Sequence, residues 1–143
     1  MTEQNNHPSS SLYFELHEHP LVGNYARRKH GGWRADTVLG DLDYPINIAA
    51  EGNEPDIAQM SRFKELIALL PEIIASSNLP DAPTEEWRSK HPNYRLLNAK
   101  ISSLILYEEG SFFVRLDAYP EDDWAPGFDI SPDFKVTLAE WGV

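Results

Sequence analysis

The chain has 143 residues with 41% hydrophobic and 11% aromatic content, the size and makeup of one globular domain with room for a core. Lys+Arg of 12 against Asp+Glu of 23 gives a net charge of −11. That balance argues against general nucleic-acid binding, which depends on cations neutralising phosphates. With no cysteine the chain has no disulfide, thiolate metal site or cysteine nucleophile, which fits a cytoplasmic protein.

Residues 1–10 carry neither a basic patch nor an apolar core, so they read as a disordered tail and not as a secretory signal. Residues 11–143 read as a single domain, and no run approaches the roughly 20 apolar residues of a membrane span. Leu12 to His17 alternates and is rich in strand formers. Pro20 ends that strand, and Leu21 to Arg28 reads as the next, bent at Gly23. A basic turn follows, Arg27-Arg28-Lys29-His30-Gly31-Gly32, whose glycines permit positive φ. Its cations could grip an anion, but a solvated hairpin turn is the better account of them. Trp33 to Leu39, a turn at residues 40–43 and a strand from Tyr44 to Ala50 complete an antiparallel meander.

The long stretch from Asn53 to Ser77 is helical by its spacing. Ile57, Met60, Phe63, Leu66, Ile67, Leu70, Ile73 and Ile74 recur at three and four residues and fall on one stripe. Asn53 can cap it, Pro55 suits the first turn and Asp56 suits the positive end of the helix dipole. Pro71 lacks the N–H that would bond to Ile67, which predicts a kink or a break there. Residues 78–94 contain three prolines and read as a loop with one helical turn started by Thr84 and pinned by Trp87. Ile101 to Glu108 and Ser111 to Tyr119 read as a hairpin closed at Glu109-Gly110. That closure puts Ser103, Ile105, Tyr107, Phe112, Val114 and Leu116 on the core face, with Leu104, Leu106 and Phe113 beside Arg115 and Asp117 on the other. An acidic loop leads to a last hairpin, Phe128 to Ile130 and Phe134 to Leu138, around Ser131-Pro132-Asp133. The expected fold is therefore α+β. An antiparallel sheet, made of an N-terminal meander and C-terminal hairpins, packs against one amphipathic helix kinked or broken at Pro71.

His17 and His19 share one strand face, a relation that some zinc sites use, with His30 as a possible third ligand. A polar strand end before Pro20 accounts for them without a metal, and no metal or other cofactor is expected. Asp117, Glu121, Asp122 and Asp123 lack the spacing and glycine of a calcium loop. Nothing marks one of them as a buried acid or base. The chain has no nucleophile-elbow, phosphate-loop or H-E-x-x-H motif, so no catalytic residue is assigned.

Charge is unevenly placed: residues 101–143 carry two basic and nine acidic groups, an excess of seven out of the total eleven. Trp124 lies inside that acidic stretch. An aromatic ring surrounded by carboxylates suits a protein interface, with the ring as anchor and the charges steering a basic partner. The candidate partner-binding residues are Asp117, Glu121, Asp122, Asp123 and Trp124.

The order strand, Gly23, turn, Trp33, strand, Gly40, strand, helix and late strands resembles small bacterial domains of unknown function over about residues 12–140. Some of those are encoded beside polymorphic toxins and are proposed immunity proteins. The resemblance implies an α+β fold, a cytoplasmic location and no catalytic residues. Three functions stay open: a non-enzymatic protein-binding domain, for instance an immunity-type inhibitor; an enzyme or small-ligand domain with a cleft between helix and sheet under the 78–94 loop; and a homodimer built on a sheet edge or on the mixed face of the 101–119 hairpin.

Overall fold

The computed structural model describes residues 13–39, 42–49, 54–107, 109–119 and 123–142, with backbone alone at 13–14, 36–39 and 42–49. The tail at 1–10, the cap expected at Asn53 and the turn at Gly40 lie outside the described residues. The fold is α+β: a single sheet packed on one main helix of 21 residues.

The sheet has eight strands in chain order: β1 (Tyr13–His19), β2 (Gly23–Arg28), β3 (Trp33–Leu39), β4 (Leu42–Ala49), β5 (Ile101–Tyr107), β6 (Phe112–Leu116), β7 (Ala125–Ile130) and β8 (Val136–Gly142). Neighbours are antiparallel except β4 and β5, which pair in parallel from Ile46↔Leu104 to Ala49↔Tyr107. The sheet is thus two four-stranded meanders joined at its centre. A parallel joint needs a long crossover, and the segment between β4 and β5 supplies it with α1 (Ile57–Ser77), α2 (Glu85–Lys90) and a 3₁₀ turn at Leu96–Asn98.

In α1 the apolar stripe is buried at Met60, Phe63, Leu66, Leu70, Ile73 and Ile74, while Ile57 is 73% exposed. The reason is where the helix starts. Asp56 is the N-cap, its carboxylate accepting from the Gln59 N–H at 2.8 Å, so Ile57 is the first helical residue and Pro55 precedes the helix. The chain leaves α1 at Asn78, in the left-handed region. The helix continues through Pro71 as one element and does not break. Pro71 faces solvent, whereas Leu70, Ile73 and Ile74 are anchored in the core. Their burial offsets the one missing backbone bond.

The helix covers one face of the sheet. Phe63 meets Phe112 edge-on at 5.9 Å, and the buried Trp33 indole donates to Gln59 at 3.0 Å. Arg62 ties the helix to two hairpin turns. Its guanidinium donates to the carbonyls of Gly110 (2.6 Å) and Pro132 (3.2 Å) and lies over the rings of Phe112 and Phe134.

The β5–β6 register corrects the sequence expectation by one residue. Leu106 faces Phe112 and Leu104 faces Val114, because the turn is longer than two residues: the Tyr107 N–H donates to Ser111 and the Gly110 N–H to Tyr107. A shift of one exchanges the faces of a whole strand. Leu104 and Leu106 are therefore buried with Phe112, Val114 and Leu116, while Ser103 and Ile105 lie on the outer face with Phe113 and Arg115. β7 also starts earlier than expected, at Ala125, and β8 reaches Gly142. Pro126 is tolerated because the last β6–β7 pair is Arg115↔Gly127, so Pro126 lies beyond it and owes β6 no hydrogen bond.

Candidate partner-binding groove

β6 brings the site together by alternation. Leu116 is buried, so Arg115 and Asp117 on either side point away from the helix. Asp117 is fixed at the strand end by its backbone. Its N–H donates to Lys100 O at 2.7 Å, and its carbonyl accepts from the Tyr94 hydroxyl at 2.6 Å. The Ser102 hydroxyl donates to Arg115 O. Asp123 takes φ 59°, a left-handed conformation that aspartate tolerates better than most residues, and Trp124 follows it just before β7 begins at Ala125.

These residues line one open groove of about 380 Å³ that includes Asp117, Tyr119, Asp123, Trp124, Arg115 and Ser102. Three of the five residues expected to bind a partner, Asp117, Asp123 and Trp124, thus converge. Glu121 and Asp122 lie outside the described residues. Tyr119, Arg115 and Ser102 were not expected. Alternation along β6 was the available signal for Arg115, and it extends through Asp117 to Tyr119.

One wall of the groove is rigid. Tyr119 stacks on His91 with centroids 3.8 Å apart at 12°, and His91 packs on Trp87 at 4.5 Å. Trp87, which is 4% exposed, also meets Tyr94 and Trp141 at 5.2 and 5.0 Å. Trp87 is held there by α2, whose N-cap Thr84 accepts from the Trp87 N–H at 3.1 Å. The Trp141 indole donates to Pro80 O at 2.8 Å. The 78–94 segment is therefore pinned to the sheet by Trp87, as the sequence suggested. Burial, followed by Asp117, Asp81 and Tyr119, pushes the Tyr94 phenol above its ordinary value, which keeps it protonated as a donor to Asp117 O.

Comparisons with protein families, curated proteins and solved structures return no match for this chain.

His17 and His19 do share a face, but it is an aromatic one. Both rings pack on Tyr25, at 5.6 and 6.1 Å, and His19 Nδ1 accepts from the Leu21 N–H. Among the described residues no group of three metal-ligating side chains comes together. The basic turn is the β2–β3 hairpin, closed by the Arg28 N–H to Gly32 O bond at 2.9 Å with Gly31 and Gly32 at positive φ. No helix among the described residues is long and apolar enough to cross a membrane.

Proposed function

We propose that this chain is a non-enzymatic protein-binding domain, of the immunity-type inhibitor class, that presents an acidic C-terminal face to a basic protein partner. One observation supports the reading above the others: Asp117, Asp123 and Trp124, named from sequence as charge and anchor, line a single groove. Trp124 is half-buried and supplies an aromatic contact, the two carboxylates steer and register a cationic partner, and the stacked Tyr119–His91 wall keeps the groove open. Such an inhibitor acts in the cytoplasm, where a chain without cysteine is unaffected by reducing conditions.

The test is capture from source-cell extract with the intact chain beside its Trp124→Ala variant. The expected result is a basic protein retained by the intact chain at low salt, released as salt rises, and lost with Trp124→Ala. Retention that is indifferent to Trp124→Ala, or no retained protein at all, contradicts the proposal.

A further inference from the structure

The groove at Trp124 is one end of a longer surface. Strand pairing puts Arg115, Gly127 and Glu140 in one row across β6, β7 and β8, and Phe113, Asp129 and Leu138 in the next. Their neighbours Phe112, Val114, Phe128 and Ile130 are buried beneath the helix, so both rows lie on the opposite, outer face. A shallow depression of about 130 Å³ crosses this face over Gly127. It shares Arg115 and Ala125 with the Trp124 groove. It also shares Asp129 with a groove of about 490 Å³ beside Tyr107 and Glu109 at the β5–β6 turn. These shared residues set the three side by side along β6 and β7 as a track.

The floor of the track is apolar and shaped by a missing side chain. A Cβ at Gly127 would stand 3.1 Å from the Phe113 ring, so glycine lets that ring lie flat across the sheet. Leu138 is 49% exposed beside it. The rim is acidic. Among the described lining residues Asp117, Asp123, Asp129, Glu140 and Glu109 make five carboxylates against Arg115, with the Arg62 guanidinium engaged at Gly110 and Pro132 nearby. The six residues of β7 span about 20 Å at roughly 3.3 Å each, enough to seat an extended segment of similar length.

We propose that the outer face of β6–β8 is a docking surface for an extended cationic polypeptide segment, its Lys or Arg side chains on the acidic rim and its apolar side chains over Phe113 and Leu138. The inference rests on the protein-binding reading of the Trp124 groove and extends it along the sheet. Charge selects this occupant. A second copy of the chain would set the five carboxylates against themselves, and a nucleic acid would be repelled likewise.

The hexapeptide acetyl-Lys-Val-Lys-Val-Lys-Val-amide is the probe, with its Glu-for-Lys counterpart as control, titrated into the intact chain and followed by amide chemical shifts. The surface requires shifts at Phe113, Gly127 and Leu138 as well as at Trp124. Binding should weaken as salt rises from about 0.01 to about 0.15 M, where the screening length falls from about 30 to about 8 Å. Asp129→Lys with Glu140→Lys should weaken it about tenfold, the scale of a few exposed charge pairs, and Arg115→Ser should tighten it. If the double reversal does not melt like the parent, Asp129→Asn with Glu140→Gln gives a smaller loss of the same sign. Shifts confined to the 117–124 segment overturn the extended surface and leave the groove reading standing. Equal binding of the acidic control, or no shift with either peptide, also overturns it. The capture experiment with Trp124→Ala reports on the groove independently.

Discussion

Arg62 shows how one side chain can hold distant parts of the chain. It rises from the second turn of α1 and reaches the turn before β6 and the turn before β8 together, through two backbone carbonyls and two aromatic rings. A hydrogen bond from a charged donor contributes about 1.5 to 3 kcal/mol, and a cation over an aromatic face about 0.5 to 1 where it is exposed. Allowing for solvent access, Arg62→Ala should destabilise the fold by about 2 kcal/mol in denaturant melts. Arg62→Lys should recover less than half of that, since an ammonium cannot fork to two carbonyls while lying flat on two rings. A loss under about 0.5 kcal/mol for the alanine variant would show that the turns hold without it. Residues of this kind are hard to find in sequence. Nothing in the spacing of Arg62 separates it from Lys64 and Glu65 on the solvent side of the same helix. Trp124 was easier, because a large ring in an acidic stretch is conspicuous before any fold is known.

At the scale of elements, α1 was legible through its apolar period. Its start was not, because Asp56 and Asn53 are both good caps and only the backbone decides between them. Pro71 is the informative position. Sequence rules place a defect there, and tertiary packing carries the helix through it. The missing bond is still a loss, so Pro71→Ala should stabilise the protein. Proline costs about 3 kcal/mol against alanine inside a helix, part of which is returned because proline also stiffens the unfolded chain. A gain of about 1 to 2 kcal/mol in denaturant melts is expected, and a loss would mean that the proline ring is needed where it stands. The β5–β6 hairpin shows the opposite weakness. Both strands were legible, yet assuming a two-residue loop set the register one residue out and exchanged the faces of β5. Because Ser103, Ile105 and Tyr107 alternate with Leu104 and Leu106, either face of β5 is apolar enough to pass as core. Only the turn geometry at Tyr107 and Ser111 separates them.

For the whole molecule, the feature that sequence patterning does not reveal is the parallel joint between β4 and β5. Alternation identifies strands, but it does not say which partner a strand finds across a crossover of about fifty residues. The joint divides one sheet into two halves; residues 101–143 carry most of the excess negative charge, and among the described residues Asp129 and Glu140 lie on the face of β7 and β8 opposite the helix. On the docking proposal, the acidic C-terminal third, visible in composition alone, forms a surface that runs from Trp124 toward the β5–β6 turn. The most direct measurement is carbodiimide labelling of carboxylates, with and without the basic partner retained by the intact chain. Docking on the acidic groove predicts that Asp117 and Asp123 become protected on complex formation, and docking along the outer face of β6–β8 adds Asp129 and Glu140, while Glu65 and Glu72 on the helix label equally in both states. Protection at Glu65 and Glu72 with the four sheet carboxylates still labelled would contradict it.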